Sequence, residues 1–289
     1  MSQDFHAFLE DYLRRYPEDV VQVAQEVSPD QDVTAVLSTL AAQGRDPMLV
    51  FERVGGTKVV TGIFTSRKRI ARLLGTTQEN LHRVYQERAR GAVDPKLVSA
   101  GPILDSVEEK VDLTKLPLLR HFETDRAPYI TNGVVVCEGS TPFSGNLSYH
   151  RAMLHSKSEL ATSLHSRGHL WRLLELAKER KKPLPVAMVI GAHPLFMLAA
   201  SARVGFGADE RRIAGGLFEV SSHRSGRSFD SLSILSLRDI REQRTQPGIL
   251  SFALRASSGR AALRAGGQPL AYRRNSRLEN GGQQSLQTS

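Results

Sequence analysis

A single cysteine, Cys137, in 289 residues leaves no partner for an intrachain disulfide and fits a reducing compartment. No apolar run approaches the ~20 residues that a bilayer-spanning helix needs, so no membrane span is expected. The N-terminus, MSQDFHAFLED, is acidic and amphipathic, which fits neither a secretory signal nor a transit peptide. These absences point to the cytoplasm. No internal repeat is visible.

Lysine is absent from residues 221–289, where eleven arginines face four acidic residues and carry +7 of the chain's +9. The first 220 residues are therefore nearly balanced, which argues against a broad basic face for nucleic acid. Aromatics are scarce in that tail too, with only Phe229, Phe252 and Tyr272, so base-stacking platforms are poorly supported. Thirteen of its residues are serine and it lacks apolar periodicity, so it can bury little apolar surface against its conformational entropy. A disordered tail is expected over 221–289; the alternative is an aberrant end replacing a lost domain.

What is present is the composition of an ordinary globular chain, 40% hydrophobic and 24% charged, with a length that suggests about two domains. Asp4 caps an amphipathic helix carrying Phe5, Phe8, Leu9, Tyr12 and Leu13, which Pro17 ends. A strand over Val20 to Val27 precedes a helix bearing Val33, Val36, Leu37 and Leu40. PMLVFERV (47–54) and KVVTGIF (58–64) read as strands joined by Gly55-Gly56. Thr65 or Ser66 opens the basic helix SRKRIARLLG, and Thr77 caps a further helix ending at Gly91. This order predicts a small N-terminal α/β domain over 1–95, followed by a connector over 96–126.

From Ala127 the pattern becomes β-rich, with PYITNGVVVCEG and FSGNLSYHRAML separated by the turn-forming GSTP. A helix around His169 to Lys181, a buried strand LPVAMVIG, a helix from PLFMLAAS and a helix DERRIAGGLF capped by Asp209 complete the region 127–220.

These segments, in this order, resemble the UbiD family of prenylated-FMN-dependent decarboxylases. EVSPDQDVTAVLSTL, DPMLVFERVGG and GIFTSRKRIARLLG are similar to its N-terminal domain. APYITNGVVV, GNLSYHRAML, KPLPVAMVIGAHP and DERRIAGGLFEV are similar to its flavin-binding domain. The resemblance implies an α/β (α+β) fold in which a partial split β-barrel binds the modified flavin over 127–220. It also implies a divalent metal, Mn2+ (or Mg2+), and K+ at the flavin phosphate.

Residue by residue, the resemblance places Asn146 as a metal ligand and Arg151 as the catalytic arginine that orients a substrate carboxylate. An amide oxygen suits a hard cation, and a guanidinium grips a planar carboxylate bidentately. Thr131, Ser148, Tyr149, His150, Arg151 and Ser201 are its implied flavin contacts. For the metal histidine, LHSRGH offers His165 and His169; His165 is preferred. His155 and His193 have no matched role. On a regular strand Asn146 and Arg151 would point to opposite faces, so a bulge or bend is required between them.

The family's third metal ligand, a glutamate, is expected just after GLFEV, where the sequence reads SSHRSGRSFD; Glu219 sits too early. Its Glu-Gly-Pro-x-Gly-Glu element, with two catalytic glutamates, occurs nowhere in the chain. The implied function is non-oxidative decarboxylation of an aromatic or α,β-unsaturated carboxylic acid, impaired in this chain for want of a proton donor. A flavin prenyltransferase is the implied cofactor supplier, and a homo-oligomer is compatible with the family. The alternative is a non-catalytic flavin- or partner-binding module.

Overall fold

The computed structural model describes residues 4–98, 111–139, 144–225, 233–235, 249–257 and 260–265, with backbone alone at Leu97 and from residue 219 onward. Helix α1 (Phe5–Arg15) begins where the Asp4 carboxylate accepts the Ala7 N–H at 2.9 Å, and it buries Leu9 and Tyr12. Strand β1 (Val20–Val27) pairs in parallel with β2 (Met48–Val54), and α2 (Asp32–Ala42) makes the crossover that parallel strands require. β3 (Thr57–Thr61) returns antiparallel after Gly55 and Gly56, which take φ of 56° and 78° in the left-handed region open to glycine. Met48, Leu49, Val50 and Phe51 of β2 are all at most 1% exposed, because helices cover both faces of this central strand.

Helices α3 (Arg67–Leu73) and α4 (Leu81–Arg90) follow. The basic α3 is not simply a solvated face. Arg69 is fully buried, pairing with Asp19 at 2.9 Å and donating to the Asp46 carbonyl at 2.7 Å. Arg72 reaches the same Asp19 carboxylate at 3.0 Å, and Tyr12 donates to it at 2.6 Å, so α1 and α3 are tied together by a satisfied polar cluster. Thr77 does not cap α4. That helix starts at Leu81 without a side-chain cap, and Asn80 Nδ2 donates to Thr77 Oγ1 at 3.3 Å instead.

The connector contributes β4 (Lys96–Val98) within its described residues. The β-rich region then builds one antiparallel sheet. Its strands are β5 (Tyr129–Ile130), β6 (Val134–Cys137), β7 (Asn146–Tyr149), β8 (Ala152–Ser156), β9 (Glu159–Thr162) and β10 (Leu184–Val189). Two more, β12 (Ile249–Ser257) and β13 (Arg260–Ala265), enter it from the C-terminal stretch, while β11 (Ser233–Leu235) pairs with β4. The spatial order is β5-β8-β9-β13-β12-β10-β6-β7. Helix α5 (His169–Glu179) lies on this sheet through Leu170, Leu174 and Ala177.

The two ends of that order belong to one hairpin. Tyr129 and Ile130 pair with Met153 and Ala152, and Val134 to Cys137 pair with Tyr149 to Asn146. Three residues (131–133) therefore oppose two (150–151) at the break, the count of a β-bulge. The long hairpin bends there, and its halves form opposite edges of the sheet.

Helices α6 (Pro194–Ala199) and α7 (Glu210–Ser225) do not stay with this sheet alone. Leu195, Ala199, Ile213 and Leu217 share one core with Leu74, Leu81 and Val84 of the N-terminal helices. A core thus crosses the expected boundary near residue 95. Two glycines permit the α4–α7 approach: a Cβ on Gly215 would lie 2.3 Å from the Val93 carbonyl, and one on Gly216 2.5 Å from that of Arg88.

The expectation of a structureless tail over 221–289 needs correcting for the described stretches. Residues 221–225 continue α7, and β12 and β13 fill the space between β9 and β10. Average composition over this stretch conceals two local signals. Leu250, Phe252 and Leu254 alternate with period two, and Ser258-Gly259 is a turn-forming dipeptide between mutually paired strands. The remainder of that tail lies outside the described residues.

Candidate cofactor and cation site

The site grows from β7 and the start of α7. Asp209 caps α7 by accepting the Arg211 N–H at 2.9 Å, and it takes the Arg211 Nε–H at 2.9 Å and the Gly145 N–H at 3.0 Å. Burial alone would raise its pKa, but these donors and the guanidinium charge hold the carboxyl below the usual range. Gly145 admits this clasp because a Cβ there would lie 2.8 Å from Arg211 Nη2.

This clasp docks the next residue, Glu210, against β7. Glu210 Oε2 accepts the Leu147 N–H at 2.8 Å, and Oε1 accepts from Asn146 Nδ2 at 3.2 Å. Glu210 is 2% exposed and Asn146 4%. Burial pushes the Glu210 carboxyl above its ordinary value; the Leu147 and Asn146 donors oppose the shift and the Asp209 charge adds to it. Glu210 is a buried carboxylate beside Asn146 that the sequence pattern does not single out, because it opens α7 directly after the cap residue Asp209 and reads as an ordinary first-turn acid. The side chain of Glu219 lies outside the described residues.

The polar face of β7 continues past Asn146 at the strand period of two. Ser148 Oγ donates to Asn146 Oδ1 at 3.0 Å, and His150 Nε2 lies 3.0 Å from Ser148 Oγ. Burial lowers the His150 pKa to about 4, so the imidazole is neutral near pH 7. Tyr149 points the other way, donating to the Met197 carbonyl at 2.7 Å, and burial raises its pKa.

The bend expected between Asn146 and Arg151 is present at the bulge, where 150–151 oppose 131–133. It brings Thr131 and Arg151 to facing stretches of one hairpin. Arg151 is exposed and forms no ion pair among the described residues, while its carbonyl accepts from Thr162 Oγ1 at 2.9 Å. Thr131 is exposed, with Oγ1 3.4 Å from His121 Nε2.

Ser201 stands apart. Its hydroxyl donates to the Leu198 carbonyl at 2.7 Å and lines a cavity of about 320 Å³ between α3, α4 and the end of α6. Among the described residues no hydrogen bond joins His165 or His169 to Asn146 or Glu210. His165 is exposed and its Nδ1 accepts the Arg167 N–H at 3.2 Å, whereas His169 opens α5 edge-on to Phe206.

Two oxygen-bearing side chains, buried and adjacent, fit a hard divalent cation, which would relieve the cost of the buried carboxylate. The exposed Arg151 guanidinium at the neighbouring bend, which has no ion pair among the described residues, fits an anionic group. Among the described residues no helix is long and apolar enough to cross a membrane.

Comparison with known proteins agrees with this architecture. Residues 12–89 match the 3-octaprenyl-4-hydroxybenzoate carboxy-lyase N-terminal domain, and residues 96–223 match the Rift-related domain of the same carboxy-lyase. Anhydromevalonate phosphate decarboxylase of Methanosarcina mazei is 38% identical over 204 residues, covering 69% of this chain and 46% of that protein. Gallate decarboxylase of Lactiplantibacillus plantarum is 25% identical over 228 residues, covering 72% of this chain and 46% of that protein. The chain thus spans about half the length of these relatives. Among solved structures, an evolved dimeric form of the UbiD-class enzyme HmfF from Pelotomaculum thermopropionicum, in complex with prFMN, superposes with a TM-score of 0.76 at 22% identity. It covers 91% of this chain and 64% of that one. With models of both domains matched in order over most of the folded region, the chain belongs to the UbiD family.

Proposed function

We propose that this chain is the flavin- and metal-binding portion of a UbiD-type carboxy-lyase acting on an aromatic or α,β-unsaturated carboxylic acid. The observation that carries the reading is the buried contact between Asn146 and Glu210 beside the hairpin bend that bears Thr131, His150 and Arg151. In this reading the eight-stranded sheet, whose two edges are halves of one hairpin, is the split barrel that holds the flavin.

Asn146 and Glu210 would hold Mn2+ (or Mg2+) at the flavin phosphate, with His165 or His169 completing the set and K+ nearby. Thr131, Ser148, Tyr149, His150 and Ser201 would contact the flavin. When bound, prenylated FMN supplies the electron sink for loss of CO2. Arg151 would orient the substrate carboxylate through a charge-assisted bidentate contact.

A specific observation favours the second reading, a binding module without turnover, for the chain by itself. Among the described residues no carboxylic acid pairs with Arg151, so no evident group there returns a proton after CO2 leaves. The two readings are separated by co-expression with a flavin prenyltransferase. Bound flavin and Mn2+ with CO2 release from an aromatic acid supports the carboxy-lyase. Bound flavin and metal without release supports the module, and a colourless, metal-free protein contradicts both.

A further inference from the structure

The Asn146 amide presents its NH2 group to Glu210 and its carbonyl oxygen to Ser148. A cation shared by Asn146 and Glu210 requires oxygen from both, because an amide NH2 has no lone pair to offer. The amide must therefore turn about its Cβ–Cγ axis when it serves as a ligand. Its NH2 would then face Ser148 Oγ, which at present donates its only proton to that amide.

Ser148 can follow such a turn only if something behind it can both give and accept a proton. That group is His150. While the Ser148 hydroxyl donates to Asn146, its oxygen accepts from His150 Nε2–H at 3.0 Å, which fixes the Nε2–H tautomer. Once the amide has turned, Ser148 accepts from Asn146 and donates to a bare Nε2, so the ring proton resides on Nδ1. A neutral imidazole satisfies both arrangements; an aliphatic residue or a cationic one satisfies at most one.

We propose that Ser148 and His150 form a reversible hydrogen-bond relay that sets which end of the Asn146 amide faces Glu210. His150 is thereby a positioning residue for cation binding, acting through two intervening groups rather than touching the ion. The inference rests on reading Asn146 and Glu210 as a cation site, and it adds to the implied flavin contact of His150 a second role, in setting the Asn146 amide.

The test uses the full chain labelled with 15N-histidine, the His150 ring resonances being assigned by their loss in His150→Gln. Mg2+ is the diamagnetic probe. The expected result is an Nε2–H pattern without Mg2+ that converts to Nδ1–H on saturation. In parallel, Mn2+ affinity is read by electron paramagnetic resonance. Ser148→Ala and His150→Phe should each weaken it by roughly 10–100-fold, the usual effect of losing an outer-shell partner. His150→Gln, whose amide can turn to donate or accept, should stay within a few-fold of native. An unchanged tautomer on saturation, or equal losses in His150→Gln and His150→Phe, overturns the relay while leaving the cation site standing. No Mn2+ or Mg2+ binding by the native chain overturns the site and the relay together.

Discussion

Glu210 Oε1 accepts a hydrogen bond from Asn146 Nδ2 at 3.2 Å, joining residues 64 positions apart in sequence. Asp209, one residue earlier, is clasped by Gly145 and Arg211, which holds the start of α7 against β7 and places Glu210 beside Asn146 and Leu147. Replacing Glu210 by Gln turns one acceptor into a donor facing other donors. Glu210→Gln is expected to lower stability by about 1–3 kcal/mol, as a buried unsatisfied group does, and to reduce Mn2+ content. Chemical denaturation and metal analysis of the purified variant check both.

The α4–α7 approach depends on glycine. A Cβ at position 215 would meet the Val93 carbonyl oxygen and one at 216 that of Arg88, both inside contact distance and both backbone atoms with little room to yield. Gly215→Ala and Gly216→Ala are each expected to cost roughly 1–3 kcal/mol through overpacking, seen as a fall in Tm of several degrees. Melting temperatures at native level for both would contradict this packing.

His193 joins three elements. It is 4% exposed, its Nδ1 accepts the Leu195 N–H at 3.1 Å to cap α6, and its ring lies 5.4 Å from Phe8 and 4.9 Å from Phe218. Burial lowers its pKa to about 4, from an ordinary value of 6.5. The unfolded chain therefore binds a proton at a pH where the folded one does not. The stability from this difference is fully present above pH 6.5 and is lost as pH falls toward 4, up to about 3 kcal/mol. Denaturation midpoints between pH 7 and 4 should fall more steeply in the native chain than in His193→Gln. Equal slopes would remove His193 from the account.

Strands β12 and β13 stand between β9 and β10. Deleting residues 249–265 would leave both neighbours with unpaired edges, so aggregation and loss of soluble protein are expected. Deleting residues 266–289 keeps every described strand pair and should leave the yield of soluble protein unchanged. Size-exclusion chromatography of the two deletions distinguishes them.

Much of the frame was legible because it obeys local rules. Asp4 caps α1, Pro17 ends it, and Gly55-Gly56 turns β2 into β3 as the sequence suggests. The bend between Asn146 and Arg151 followed from strand geometry once both residues were required to serve one site. What was illegible depends on contacts between distant segments. Arg69 looks like one more charge on a basic helix, yet it is buried because Asp19 and the Asp46 carbonyl await it. Glu210 reads as an ordinary acidic first-turn residue until Asn146 is folded against it. The strands at 249–265 were hidden by averaging arginine and serine over 69 residues, which erased the alternation of Leu250, Phe252 and Leu254 within a nine-residue strand.

The central claim is that Asn146 on the bent hairpin and Glu210 at the start of α7 hold a divalent cation. Titration of the metal-stripped full chain with Mn2+, followed by electron paramagnetic resonance with and without FMN, tests it most directly. The account predicts one Mn2+ per chain, tighter with FMN present and lost in both Asn146→Leu and Glu210→Gln. Mn2+ binding that is unchanged in these variants, or no binding in the native chain, would contradict it.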